Sequence, residues 1–292
     1  MSSPRAALTE PVYEKNFVQI FKVTPHLYFR KADLMTRGQC NGAYFFSDGV
    51  VGVVDVPTRE GAREIVEESQ LLFDQPVSVI FITHGHDDHV DGLPAFLDRP
   101  VTIFCAQRLV DRIPAGEGPQ RATVVGVRDR TRVRMAGMQV ECLALEGTVH
   151  SPWDMLIRVP QAELVCTGDT VVDLSLLHFH SANVDNWIAT LRSLSAESGA
   201  LILPGHGEIY PWSMVADTAD FIETLRAAGT LCLSRLSAGE ITRISEDRIN
   251  EIVSAYLSGD SPEAMRIHAR AGVGAVRELR MVLRNLLYEK LR

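Results

Sequence analysis

The sequence predicts an α/β fold followed by an all-helical tail, and three observations carry that reading. Short apolar, β-branched runs alternate with helical periodicity over residues 1–211, the pattern of strands interleaved with helices. From residue 212 onward only helical periodicity remains. A dense string of histidines and carboxylates directly follows one buried-strand run, Val77–Ile82. Two units are therefore expected: 1–211, carrying the strands and the chemistry, and 212–292, a helical C-terminal extension that serves as packing, lid or dimerisation surface.

Each element has its own signal. Asn41–Phe46 and Val50–Val54 flank Ser47-Asp48-Gly49, a hairpin turn because Asp-Gly tolerates positive φ. Ala62, Ile65, Val66, Leu72 and Phe73 share one face at helical spacing, which predicts a helix before the strand Val77–Ile82. Further strands are expected at Val101–Cys105, Arg132–Met135, Met138–Leu145, Met155–Val159 and Leu164–Thr167. Arg128, Arg130, Arg132 and Arg134 alternate at period two, which a solvated strand face explains better than a binding patch. Trp187, Ile188, Leu191 and Leu194 mark a helix, and Ala200–Leu203 a strand after it. In the tail, Ile249, Ile252, Val253, Tyr256 and Leu257 form a stripe behind an N-cap at Ser245. Ser261-Pro262-Glu263 opens another helix, and Gly272 and Gly274 interrupt it before Val276, Leu279, Leu283, Leu286 and Leu287 resume the stripe.

Composition excludes several classes of function. The 292 residues are 46% hydrophobic and 23% charged, enough apolar material to bury a core, so disorder is not expected. The net charge of −8 comes from the first 210 residues, which disfavours a nucleic-acid partner because phosphate neutralisation needs a basic surface. No apolar run approaches the roughly 18 residues that cross a bilayer, so no membrane partner is expected. The first thirty residues carry Arg5, Glu10, Glu14, Lys15 and Lys22 without a continuous apolar segment, so a signal peptide is not expected. Five cysteines, an odd number without CxxC spacing, predict reduced thiols and a cytoplasmic location.

The chemistry concentrates in Thr83-His84-Gly85-His86-Asp87-Asp88-His89-Val90-Asp91-Gly92. Three histidines and three carboxylates so close together are costly unless a positive charge sits among them. In extended backbone His84 and His86 face the same way and can converge on one point. Asp88 and His89 lie just beyond, where a change of direction can aim them at a second. Imidazole nitrogens and carboxylate oxygens suit zinc, and equally iron or manganese.

This HxHxDH string resembles that of the metallo-β-lactamase superfamily, and the resemblance extends over residues 17–210. Its later motifs follow in the family's order: His150 in Thr148-Val149-His150-Ser151-Pro152, Asp169 in Cys166-Thr167-Gly168-Asp169-Thr170, and His206 in Leu203-Pro204-Gly205-His206-Gly207. Asp55, ending the strand Val50–Val54, resembles the buried acid that orients a metal-binding histidine. The resemblance implies a four-layer αβ/βα sandwich carrying two divalent ions, with zinc the first choice. His84, His86 and His150 would hold one ion and Asp88, His89 and His206 the other, with Asp169 bridging. It also implies metal-assisted hydrolysis, in which a hydroxide between the metals attacks a small-molecule ester, lactone or thioester. Asp88 and Asp169 are then the catalytic carboxylates, and Asp88 also orients the hydroxide.

Departures from subfamily patterns narrow the expectation. True β-lactamases of this family place Cys or Ser where this chain has Asp169, so antibiotic hydrolysis is not expected. Val171-Val172-Asp173-Leu174 replaces the Gly-Arg stretch of the glutathione-thioester hydrolases. His178 and His180 would lie on a loop bordering the pocket, where a surface role is an equal reading; Trp153 either lines the pocket or packs in the core. Two alternatives remain: a mononuclear-iron sulfur (persulfide) dioxygenase, and a metal-bearing binding or regulatory protein with vestigial catalysis. The tail's stripes raise a further expectation, a homodimer through the C-terminal helices.

Overall fold

The computed structural model describes residues 10–32, 38–113, 121–135, 137–196 and 201–291. Arg5 and Ala200, which two of the sequence readings touch, lie outside them.

Period-two alternation along the strands decides the layering. In β4 (Gly42–Ser47), Phe45 points into one apolar cluster and its neighbour Tyr44 into another. In β11 (Met155–Val159), Ile157 and Leu156 divide in the same way. Each sheet is therefore buried on both faces, and three apolar clusters separate four layers.

The first sheet runs β1 (Tyr13–Lys15), β2 (Val18–Thr24), β3 (Leu27–Ala32), β4, β5 (Val50–Val54), β6 (Val77–Phe81), β7 (Thr102–Ala106) and β8 (Thr123–Val127), in that spatial order. The second follows as β9 (Arg130–Met135), β10 (Met138–Ala144), β11, β12 (Leu164–Gly168), β13 (Leu201–Pro204) and β14 (Tyr210–Pro211). Strands β5 to β8 are parallel, as are β12 and β13. The middle cluster joins Phe29, Phe45, Val54 and Phe81 of one sheet to Cys142, Ile157, Cys166 and Leu203 of the other. The β4–β5 turn forms as expected, with Asp48 (φ 48°) and Gly49 (φ 75°) both left-handed. In β9, Arg130, Arg132 and Arg134 are exposed, and Arg132 Nε donates to Glu141 Oε1 at 2.7 Å.

Helix α1 (Arg59–Phe73) starts at Thr58, whose hydroxyl accepts from Gly61 N, and covers the outer face of the first sheet through Ala62, Ile65 and Phe73. A single turn, α2 (Asp87–Val90), follows β6. Helix α3 (Val184–Ser195) covers the second sheet through Trp187 and Leu191. The tail comprises α4 (Met214–Ser234), the short α5 (Ala238–Ile241), α6 (Glu246–Leu257), α7 (Pro262–Ala271) and α8 (Ala275–Leu291). Ser245 and Ser261 cap α6 and α7 as the sequence predicts. Val276 departs from its expected inward position and is 40% exposed. Val276 shares its side of α8 with the buried Leu283 and Leu287, but it stands in the first turn, where that side is uncovered, and Ala275 is the buried residue there.

The tail's stripes are buried against the rest of the chain: Phe221, Leu225, Val253, Leu279 and Leu283 share one cluster with Trp187, Leu191 and Ile202. No helix among the described residues is long and apolar enough to cross a membrane. All five cysteines are buried and free.

Candidate metal centre

The carboxyl ends of parallel strands are where an open α/β sheet presents its binding groups. Here the ends of β5 and β6 in one sheet meet those of β12 and β13 in the other. Asp55 follows β5, the segment Thr83–His89 follows β6, Asp169 follows β12 and His206 follows β13. His150 comes from the loop between β10 and β11.

The structure brings all seven candidate ligands together. Nε2 of His84 and Nε2 of His150 lie 2.9 and 3.1 Å from Nδ1 of His86. Asp88 Oδ2 is 2.9 Å from His206 Nε2 and 3.7 Å from His89 Nε2. Asp169 faces both sets: its Oδ2 is 3.8 Å from His150 Nε2 and 3.5 Å from His206 Nε2, and its Oδ1 is 3.5 Å from His89 Nε2. His84, His86, His150 and Asp169 form one group able to hold a cation, and Asp88, His89 and His206 a second.

Hydrogen bonds behind the ring fix which nitrogen faces inward. His89 Nδ1 donates to Asp55 Oδ2 at 2.8 Å, so in the neutral ring Nε2 carries its lone pair toward the centre. Thr83 Oγ1 gives its only proton to Asp55 Oδ2 at 2.7 Å and therefore accepts from His84 Nδ1 at 3.2 Å. His84 Nε2 is then the free donor atom. Asp55 itself sits at φ 59°, a left-handed conformation held by the Thr83 amide donating to its Oδ1 at 2.7 Å and by its own amide donating to Phe81 O.

Two backbone approaches need glycine. A Cβ on Gly205 would collide with the Asp169 carboxylate and the His89 ring, and one on Gly168, which sits at φ 50°, with Thr83. Asn41 pins the same His206 turn: its Nδ2 donates to Pro204 O at 3.2 Å and Gly207 O at 3.0 Å. Buried Asp154 steadies the loop of His150 by accepting from Ser151 N and Ser151 Oγ, both at 2.7 Å.

Electrostatics favour neutral imidazoles at His84, His86 and His150 beside ionised carboxylates. Burial holds His84 well below the ordinary imidazole range, pushes His150 down to about 3 and lowers His86. Burial would raise Asp169, but His206 and His89 outweigh it and hold the carboxyl well below its usual value. At Asp88, burial is likewise outweighed, there by the hydrogen bond from His206. At His89, burial is outweighed by Cys40, Asp169 and Asp55, which favour a proton on the ring. Within this set, His89 Nε2 and Asp169 Oδ1 are buried without a hydrogen-bond partner. Acceptors concentrated in this way demand a proton or a metal cation between them, and the N/O donor set fits a divalent ion.

The other candidates divide. His178 is exposed at the rim, its ring 6.2 Å from that of His86. His180, also exposed, neighbours His178 at 6.1 Å. Phe179 between them is the buried anchor, packed on Trp187 at 5.4 Å. Trp153 is half-buried with the outer cluster of the first sheet, under the Arg112 guanidinium and close to Gly85. Sequence reasoning missed Thr83, Asn41 and Ser181, whose hydroxyl lies 2.8 Å from His86 Nε2.

Known proteins resemble this chain in sequence and in fold. The family model described as the metallo-beta-lactamase superfamily matches residues 36–206. A hydroxyacylglutathione hydrolase of Ruegeria pomeroyi is 28% identical over 171 residues, 57% of this chain and 62% of the relative. A type 2 metallo-beta-lactamase of Bacillus cereus is 22% identical over 166 residues, 55% of this chain and 64% of the relative. The chain thus spans less than two thirds of the length of these relatives. Among solved structures, a metallo-beta-lactamase from Pontibacter korlensis shares the fold with a TM-score of 0.60 at 19% identity, over 70% of this chain and 99% of that one.

Proposed function

The chain belongs to the metallo-β-lactamase superfamily, and on that premise we propose that it is a dinuclear metal-dependent hydrolase, with zinc as the metal, acting on a small-molecule ester, lactone or thioester. The observation that carries the reading is the position of Asp169, within 4 Å of histidines from both sets. A carboxylate so placed suits two cations better than one. His84, His86 and His150 would hold the first ion, and Asp88, His89 and His206 the second, with Asp169 shared. When bound, such ions supply Lewis acidity for a carbonyl oxygen and lower the pKa of water toward neutrality.

The chain's own residues do the rest. Asp55 and Thr83 hold His84 and His89 in the ligating tautomer. Asp88 is the most open of the candidate carboxylates, its side chain 30% exposed against 9% for Asp169, so it is the one placed to orient an attacking water and steer its proton. His178 stands at the mouth, where it can touch the acyl or leaving group. Two of the relatives support acyl chemistry by their names, a hydroxyacylglutathione hydrolase and a β-lactamase.

The test is metal content of freshly purified protein, measured together with turnover of a panel of esters, lactones and thioesters. Two equivalents of zinc and metal-dependent hydrolysis are expected. One equivalent of iron with oxygen consumption, or no bound metal, would overturn the proposal.

A further inference from the structure

His86 differs from the other histidines of the centre in what stands behind it. His84 and His89 are held by the Asp55–Thr83 pair on neighbouring strand ends, whereas His86 is held by Ser181, from the segment between β12 and α3. Ser181 Oγ lies 2.8 Å from His86 Nε2 and 3.4 Å from the carbonyl oxygen of His150. A hydroxyl has one proton to give. Directed at the His150 carbonyl, it leaves Oγ as the acceptor, so His86 carries its hydrogen on Nε2 and its lone pair on Nδ1. Nδ1 is the atom that converges with His84 Nε2 and His150 Nε2.

What fixes Ser181 comes from the far end of the chain. Asn285, on α8, donates through Nδ2 to Ala182 O at 2.8 Å and to Phe179 O at 3.3 Å. The Arg277 guanidinium, at the start of the same helix, donates to Ser175 O. These three carbonyls bracket the stretch that carries His178 and Ser181. Helix α8 is anchored by its buried face of Leu279, Val282, Leu283, Leu286 and Leu287, so the grip is backed by a packed core.

We infer that Ser181 is a positioning residue that sets His86 in its metal-ligating tautomer, and that Asn285 and Arg277 make metal affinity depend on the C-terminal helix. The inference rests on the reading of His86 as a metal ligand. The helix contributes no ligand of its own; it holds the loop that holds the ligand. Outer hydrogen-bond partners of metal ligands typically change metal affinity by about 10–100-fold when removed.

The experiment titrates wild type, Ser181→Ala, Ser181→Thr and Asn285→Ala with Zn²⁺ against a chromophoric chelator. Thermal unfolding of the metal-free forms and amide exchange over residues 175–182 are measured alongside. Ser181→Ala is expected to bind its first ion at least about tenfold more weakly, with its metal-free melting temperature unchanged, while Ser181→Thr restores most of the affinity. Asn285→Ala is expected to show faster exchange in 175–182 together with weaker metal binding. Wild-type affinity in Ser181→Ala, or losses in both variants that only follow a fall in melting temperature, would overturn the inference. Wild-type affinity in Asn285→Ala alone would overturn the part assigned to the helix. Failure of the wild-type protein itself to bind metal would instead count against the proposed function.

Discussion

His89 Nδ1 donates to Asp55 Oδ2 at 2.8 Å, and neither side chain meets solvent. The same carboxylate oxygen takes the Thr83 proton, so one aspartate orients His89 directly and His84 through a threonine. These two histidines belong to different ligand sets, which makes Asp55 common to both candidate metal positions.

Asp55→Ala should therefore weaken both ions, each by about 10–100-fold, whereas Thr83→Val should weaken mainly the one held by His84. Chelator competition, following the two equivalents separately, distinguishes the patterns. Equal loss in the two variants would show that Thr83 acts on more than His84.

Asp169→Ala should reduce bound metal from two equivalents toward one and slow hydrolysis by about 100-fold or more. Gly205→Ala gives a complementary perturbation. It removes no ligand, but its Cβ collides with the Asp169 carboxylate, and displacing that group should cost about 1–3 kcal/mol of stability in the loaded protein. Metal analysis with thermal unfolding checks both. Two tightly bound ions and full activity in Asp169→Ala would defeat the bridging assignment.

His178→Ala and His180→Ala should leave metal content at the wild-type value. His178 is nearer the centre, its ring 6.2 Å from that of His86, so its loss should raise KM or shift substrate preference several-fold. His180→Ala should do less, since its ring neighbour is His178. Steady-state kinetics on one good substrate, with metal content on the same samples, provides the check. Metal loss from His178→Ala would mean that the ligand set has been misassigned.

Legibility in the sequence followed how local each signal is. His84, His86, Asp88 and His89 stand together in one short string and announce themselves. His150, Asp169 and His206 are each single residues, and only the order of their motifs ties them to that string. Ser181 and Asn285 had no such marker. Their partners lie far away in sequence, and a serine or asparagine in a polar loop or on a helix carries no chemistry by type. Strands β4 to β7 and β9 to β13 were readable, as were the helices with a narrow apolar stripe, whereas β1 to β3, β8 and β14 were not singled out. Helix α4 was read only as part of the helical tail: its buried face, which includes Val215, Phe221, Ile222, Leu225, Ala228 and Cys232, is broad and interrupted by small and polar positions. Val276 was misplaced because a helical wheel gives only its side, shared with the buried Leu283 and Leu287, and cannot show that the first turn of α8 is uncovered there.

Glu278 offers a test of the tail through pH. It follows Arg277 on α8, with its side chain closed to solvent. One carboxylate oxygen lies 3.2 Å from the Arg277 guanidinium, and the other has no hydrogen-bond partner. Burial pushes this carboxyl up to about 8, against the opposing pull of Arg277. The folded chain therefore holds the proton more tightly than the unfolded chain, where a glutamate titrates near 4.5. The stability this group contributes is complete below pH 4.5 and is lost as pH rises through about 8. Glu278→Gln keeps the shape without the charge, so it should match wild type at pH 5 and exceed it by about 2–4 kcal/mol at pH 9. Urea unfolding of the metal-free proteins at pH 5, 7 and 9 measures the difference. A glutamine variant less stable by the same amount at every pH would mean that Glu278 is held as a carboxylate by Arg277, and that the ion pair, not the buried proton, secures the start of the last helix.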